Sequence, residues 1–232
     1  MPKEAYLMVL VIMASAAAVL FLVRGPRQIG RKMVRLMGLV FPLLVFPWWG
    51  IGVYRACFIL PAVILALLEA VRLSGRRDRS TLGRLLSPIA KEGEGRGFFG
   101  FSTYFWGSAL ASLAPCGTGP AVTAMATLCD PWASMAGTAW GGQGSSLGKT
   151  WVGSLTCLLV SSMTGLSFAV LFPRAGISLQ QTLLASVAMT AAERYSPGEF
   201  DNLSIQVVGA AVVTLSSFGS LFNALGTFSP GI

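Results

Sequence analysis

Cys129-Asp130-Pro131-Trp132-Ala133-Ser134-Met135-Ala136-Gly137, then Gly141-Gly142-Gln143-Gly144, then Gly148-Lys149-Thr150-Trp151-Val152-Gly153-Ser154: this stretch sets an acid, a glycine-rich turn and a lysine between two long apolar segments. An acid at a membrane helix centre costs about 2.5–3.5 kcal/mol on insertion scales. The chain has only nine acidic residues, so one placed against apolar sequence marks a candidate functional site.

The apolar surroundings extend along the whole chain. Hydrophobic residues make up 54% of the 232, charged residues 11%, and mean hydropathy is +0.69. A membrane span needs roughly 20 mostly apolar residues. The chain therefore reads as all-α, one polytopic integral membrane domain over residues 1–232 with seven or eight transmembrane helices. The segments fall at about 5–23, 36–54, 56–73, 98–115, 118–139, 151–172, 179–195 and 203–225. Trp48-Trp49-Gly50 and Tyr54-Arg55 join the second and third in an interfacial aromatic pattern. The 118–139 segment holds Asp130 and Pro131, which suits a broken helix covered by protein. Positive charges follow the first apolar run instead of preceding it, unlike a signal peptide.

Charge supplies sidedness. Arg24, Arg27, Arg31, Lys32 and Arg35 lie in one loop, and Arg72, Arg76, Arg77, Arg79, Arg84, Lys91 and Arg96 in another. These are 12 of the 17 basic residues. The positive-inside rule makes both loops cytoplasmic. Alternation then places cytoplasmic loops at about 24–35, 72–97, 140–150 and 194–202, with both termini outside. The net charge of +8 is explained this way, and nucleic acid is not an expected partner.

Histidine is absent, which removes His-based bases, triads and the usual zinc ligands. Carboxylates remain, and they favour Mg²⁺ or Ca²⁺. Cys57, Cys116, Cys129 and Cys157 show no paired spacing and read as small apolar residues. Gly142–Thr150 looks like a phosphate-binding P-loop, but Gln143 stands where that motif requires glycine. Small residues and Lys149 could still cradle phosphate; the plain alternative is a tight turn. Asp130 before Pro131, and Asp201-Asn202 before the last segment, also suit helix N-caps. Glu193-Arg194 suits a snorkelling ion pair, and Glu69 and Arg72 a local pair one turn apart. Gly137 and Gly141 suit close helix packing.

Several of these residues, in order, resemble the CTP-dependent lipid alcohol kinases: phytol and farnesol kinase, dolichol kinase and the fungal CTP-dependent diacylglycerol kinase. Similarity to phosphatidate cytidylyltransferases is weaker. The matching positions are Arg31-Lys32; Glu69 and Arg72; Glu92 or Glu94 with Gly100, Thr103, Tyr104 and Phe105; Asp130, Ala133 and Gly137; Lys149, Thr150, Gly153 and Ser154; and Glu193, Asp201 and Asn202. They span about residues 30–210. Arg35 stands where the family often has His, and Cys129 where it usually has Gly.

The resemblance implies transfer of the γ-phosphoryl group of CTP, or another nucleoside triphosphate, to a long-chain isoprenoid or lipid alcohol at the cytoplasmic face. The expected catalytic residues are Asp130, Lys149, Glu193, Asp201 and Glu94, with Glu193 or Glu94 accepting the alcohol proton. The expected nucleotide contacts are Arg31, Lys32, Lys149, Thr150, Gly142, Gly144 and Asn202. Thr103 and Tyr104 would meet the lipid, and Asp130, Asp201 and Asn202 would hold Mg²⁺ or Ca²⁺. Membrane lipids are further partners, and a homodimer is left open. The alternatives are a cytidylyltransferase making a CDP-lipid and, in another class, a small transporter or lipid-binding scaffold.

Overall fold

A computed structural model describes residues 36–73, 100–115, 117–142, 148–198 and 200–226. The expected 5–23 span, Arg31, Lys32, Arg35, Cys116, Glu92, Glu94 and Gly144 lie outside them, as do most of the two basic loops.

Among the described residues the chain is all-helical. A 3-10 turn (Met37–Leu39) and a π turn (Phe41–Val45) lead into α1 (Phe46–Leu73). Then come α2 (Gly100–Ser112), α3 (Thr118–Trp140), α4 (Trp151–Leu171), a 3-10 turn (Pro173–Ala175), α5 (Leu179–Tyr195) and α6 (Asp201–Gly226). α3 packs on α4, α4 on α5, α5 on α6, and α6 on both α2 and α3.

The expected join between the 36–54 and 56–73 segments moves to Gly50, with Tyr54 and Arg55 inside the second arm. Gly50 has φ +76° and ψ 179° within α1, a conformation open to glycine and strained for other residues. An unbroken helix would hold Phe41 and Phe58 about 25 Å apart at 1.5 Å per residue. Their ring centroids are 4.9 Å apart, and those of Phe46 and Tyr54 6.3 Å. The chain therefore turns back at Gly50 into a helical hairpin. Trp48 and Trp49 at its tip are exposed, and Tyr54 is buried against Phe46 and Phe58.

The expected break at Asp130-Pro131 is absent. α3 runs through Pro131, with α4 and α6 packed along it, and neighbouring helices can offset a proline's lost hydrogen bond. Asp130 is therefore mid-helix and caps nothing. Gly137 brings α3 and α4 together: a methyl there would lie 2.8 Å from Thr150 Oγ1.

Large apolar side chains also face outward. Ser102, Thr103, Ser108, Thr123, Thr127 and Gln206 share the interior with apolar residues such as Val122, Met125 and Ile205, while Leu60, Ile64, Leu67, Leu155, Leu159 and Met163 are exposed. A soluble fold seldom exposes so many large apolar side chains. Among the described residues two stretches are long and apolar enough to cross a membrane: Phe41–Arg72, most of whose length lies beyond the Gly50 turn, and Trp151–Leu171. α2 is only about 20 Å long.

Helix alternation collects the charged residues at one end of the bundle. The C-terminal turns of α1 and α5 and the first turns of α2 and α6 meet there, through Ser102 to Glu69 and Asn202 to Gly100. The opposite end holds the Gly50 turn. There Arg55 donates to the carbonyls of Ser112 at 2.8 Å and Ala114 at 3.4 Å, closing the end of α2.

Candidate active site

Lys149 lies just before α4, ahead of the N-cap Thr150. Its ammonium donates to Glu193 Oε1 at 2.9 Å, from the last turn of α5, and to Asp201 Oδ2 at 2.6 Å, the first residue of α6. Three helix ends converge on one cation, with Lys149 44 and 52 residues from its two partners. The second oxygen of each carboxylate, Glu193 Oε2 and Asp201 Oδ1, is buried and has no hydrogen-bond partner.

The two expected plain roles for these acids do not hold. Asp201 caps no backbone N–H, since one oxygen accepts from Lys149 and the other accepts nothing. Glu193 and Arg194 do not pair. Arg194 instead lies 3.7 Å over the Trp151 ring and donates to Ser154 Oγ at 3.3 Å, so consecutive side chains on α5 serve the site and its rim.

Burial is the largest influence on the cluster's electrostatics. Burial pushes the Asp201 carboxyl up from its ordinary 3.8 to about 6; Lys149 opposes that, and the charges of Asp130 and Glu193 add to it. Asp130 is thus within electrostatic reach of Asp201 from mid-α3. Burial pulls the Lys149 ammonium down, but the Asp201 charge and its two hydrogen bonds outweigh this, and its pKa ends above the ordinary value.

The remaining expected residues fall elsewhere. Asn202 donates to the Gly100 carbonyl at 3.0 Å and ties α6 to α2. Thr150 Oγ1 accepts from Gly153 N at 3.0 Å as an N-cap. Gly142 is an exposed turn residue with φ +59°. Thr103 donates to the Gly100 carbonyl one turn back at 3.1 Å, and the Tyr104 hydroxyl shares a hydrogen bond with Thr127 at 2.9 Å. The structure thus gathers Lys149, Glu193 and Asp201, with Asp130 near, and sets Thr103, Tyr104 and Asn202 into helix contacts.

A second buried ion pair lies at the same end of the bundle. Arg72 meets Glu69 Oε2 at 2.6 and 2.7 Å, and Ser102 donates to Glu69 Oε1 at 3.0 Å. Sequence spacing flagged the Glu69–Arg72 pair but not Ser102. It also missed Gln206, a buried amide shared by α2, α3 and α6; a lone glutamine in an apolar segment was the available signal.

The donor set was tested against a magnesium-type ion. Among the described residues no three His, Cys, Asp or Glu side chains lie close enough to hold a metal by themselves. Mg²⁺ does not require that, because it commonly takes one or two carboxylates plus phosphate oxygens and water. Two buried, unpartnered carboxylate oxygens from Glu193 and Asp201 fit that mode. Comparison with protein-family models, characterised proteins and solved structures gives no match.

Proposed function

We propose that this chain is a multi-pass membrane kinase that transfers the γ-phosphoryl group of CTP, or another nucleoside triphosphate, to the hydroxyl of a long-chain lipid alcohol. Phytol, polyprenols, dolichol and diacylglycerol form the substrate class. The carrying observation is Lys149 drawn between Glu193 and Asp201, with a spare buried oxygen on each acid. Phosphoryl transfer needs mainly positioned charge of both signs, and this cluster supplies it at one end of a bundle with an apolar exterior. The reading places that end at the cytoplasmic face, where nucleotide is available, and the apolar tail among outward-facing side chains.

In the reaction, the alcohol oxygen bonds to the γ-phosphorus, the bond from that phosphorus to the bridging oxygen breaks, and CDP leaves. Lys149 neutralises phosphate charge as it develops. Glu193 takes the alcohol proton, since its Oε2 is buried and without a hydrogen bond. Asp201 and the Oε1 side of Glu193, with Asp130 near, would hold the divalent cation, which would supply further neutralisation of the phosphate oxygens, while Oε2 of Glu193 stays open to the proton. Excluding water around Glu193 favours the alcohol over hydrolysis.

The test is γ-labelled CTP with Mg²⁺ and a prenol, added to purified protein. The expected product is a labelled lipid phosphate. With a prenyl phosphate in place of the prenol, label in pyrophosphate and a CDP-lipid product would instead establish a cytidylyltransferase, and no transfer from any nucleotide would end the proposal.

A further inference from the structure

One ammonium serves two carboxylates here, and it uses only half of each. Lys149 takes Glu193 Oε1 and Asp201 Oδ2, while Glu193 Oε2 and Asp201 Oδ1 stay buried without partners. The Glu193 side chain is more than nine-tenths buried, at 8% exposure, and that of Asp201 is 13% exposed with its Oδ1 atom buried. Leaving a buried anionic oxygen unsatisfied is costly. Glu193 and Asp201 outnumber the single ammonium that lies between them. The cluster therefore has capacity for more positive charge than it holds.

Lys149 is also placed to move. It precedes the cap of α4 and follows Gly148, an exposed turn residue with φ +71°. Its charge rides on a flexible four-carbon stem. The two acids are fixed, one in the last turn of α5 and one at the start of α6.

We propose that Lys149 is an exchangeable occupant of the Glu193–Asp201 pair: a divalent cation displaces its ammonium, which then swings to phosphate. Oxygen-only donors suit a hard cation such as Mg²⁺, Ca²⁺ or Mn²⁺. An ammonium and a divalent ion on the same two carboxylates repel each other, so one must leave, and phosphate is the anion that receives it. The ammonium thereby keeps the acids in register before the nucleotide arrives. This inference rests on the site being one for cation and phosphate, but its test needs no turnover.

The experiment is thermal unfolding of the purified chain in detergent with Mg²⁺, Ca²⁺ or Mn²⁺ and no nucleotide. Lys149→Met should melt lower than wild type, and divalent ions should restore it at concentrations at least about tenfold below those that shift wild type. Adding Glu193→Gln to Lys149→Met should remove the rescue. Equal responses in wild type and Lys149→Met, or a folded Lys149→Met with no rescue, would overturn the proposal. Should Lys149→Met fail to fold, wild-type protein decides the matter through acylation of Lys149 by an amine-reactive ester, read by mass spectrometry. Labelling should rise when Ca²⁺ alone is added, and unchanged labelling in excess Ca²⁺ overturns the exchange. Failed exchange with phosphoryl transfer intact would leave the kinase standing; exchange without transfer would leave the cation site and remove the kinase.

Discussion

Two buried polar clusters on α6 differ in one respect that separates architecture from chemistry. Around Gln206 every hydrogen-bonding capacity is used. Its carbonyl accepts from Ser108 at 2.7 Å and Thr123 at 3.3 Å, and its amide donates to the carbonyls of Tyr104 and Asn202 at 3.2 Å. Little more than a turn away, Asp201 and Glu193 share one lysine and leave two buried oxygens unmet. A neutral, complete network fixes how three helices meet. A charged, incomplete one costs stability and is retained where a ligand completes it. On the proposed function, the glutamine serves the fold and the acids the chemistry.

The largest effect that could break this division is on turnover. Asp201→Asn and Asp130→Asn should each lower phosphoryl transfer by at least about 10²–10³-fold, as lost electrostatic stabilisation does elsewhere. The double variant should be scarcely worse, since groups acting together are non-additive. Assays should be paired with circular dichroism to show an intact fold. Activity within a few-fold of wild type in both single variants would erase the distinction.

Next in size is the pH dependence of stability. The Asp201 carboxyl titrates at about 6 when folded and 3.8 otherwise. Between these values the folded state binds more protons, so stability falls as pH rises from about 4 to 6 and is flat above. The gap corresponds to a penalty on the order of 3 kcal/mol. Lys149 acts in the opposite sense, with its contribution present at neutral pH and lost only as pH rises through its elevated folded value. Melting curves from pH 4.5 to 8 should show the acid-side gain in wild type and lose most of it in Asp201→Asn. An identical slope in both would show that Asp201 carries no such penalty.

Gln206→Leu tests the other cluster. It should cost about 1–3 kcal/mol by stranding buried partners, with turnover per folded molecule kept. A turnover loss as deep as that of Asp201→Asn would move Gln206 into the site. The smallest effect is expected at Thr150. Losing its N-cap in Thr150→Ala should cost about 1 kcal/mol, read as a lower melting temperature with nucleotide affinity unchanged. A large rise in KM for nucleotide would restore the direct phosphate contact that the sequence suggested.

The residues themselves show why some of this was legible beforehand. Helical segments at 118–139, 151–172 and 179–195 follow from runs of apolar residues, and α3, α4 and α5 lie within a few residues of them. Composition alone also points to an apolar exterior. The Gly50 turn was only half visible: Trp48-Trp49-Gly50 marked it, but Tyr54-Arg55 looked equally good. Ring packing of Phe41 on Phe58 chose between them.

What the sequence by itself determined was helical class, approximate helix ends and a short list of acids, because these depend on local hydrophobicity and on the cost of charge near apolar chain. What only the tertiary structure decided was partnership. Lys149 meets residues 44 and 52 positions away, and Ser108 meets Gln206 across 98. No local rule relates such positions, so the sequence leaves Asp201 as a cap, a turn residue or a metal ligand, and its pairing with Lys149 emerges only when the helices pack. Packing brings α4, α5 and α6 to one end of the bundle, and there desolvation leaves the two acids one cation between them.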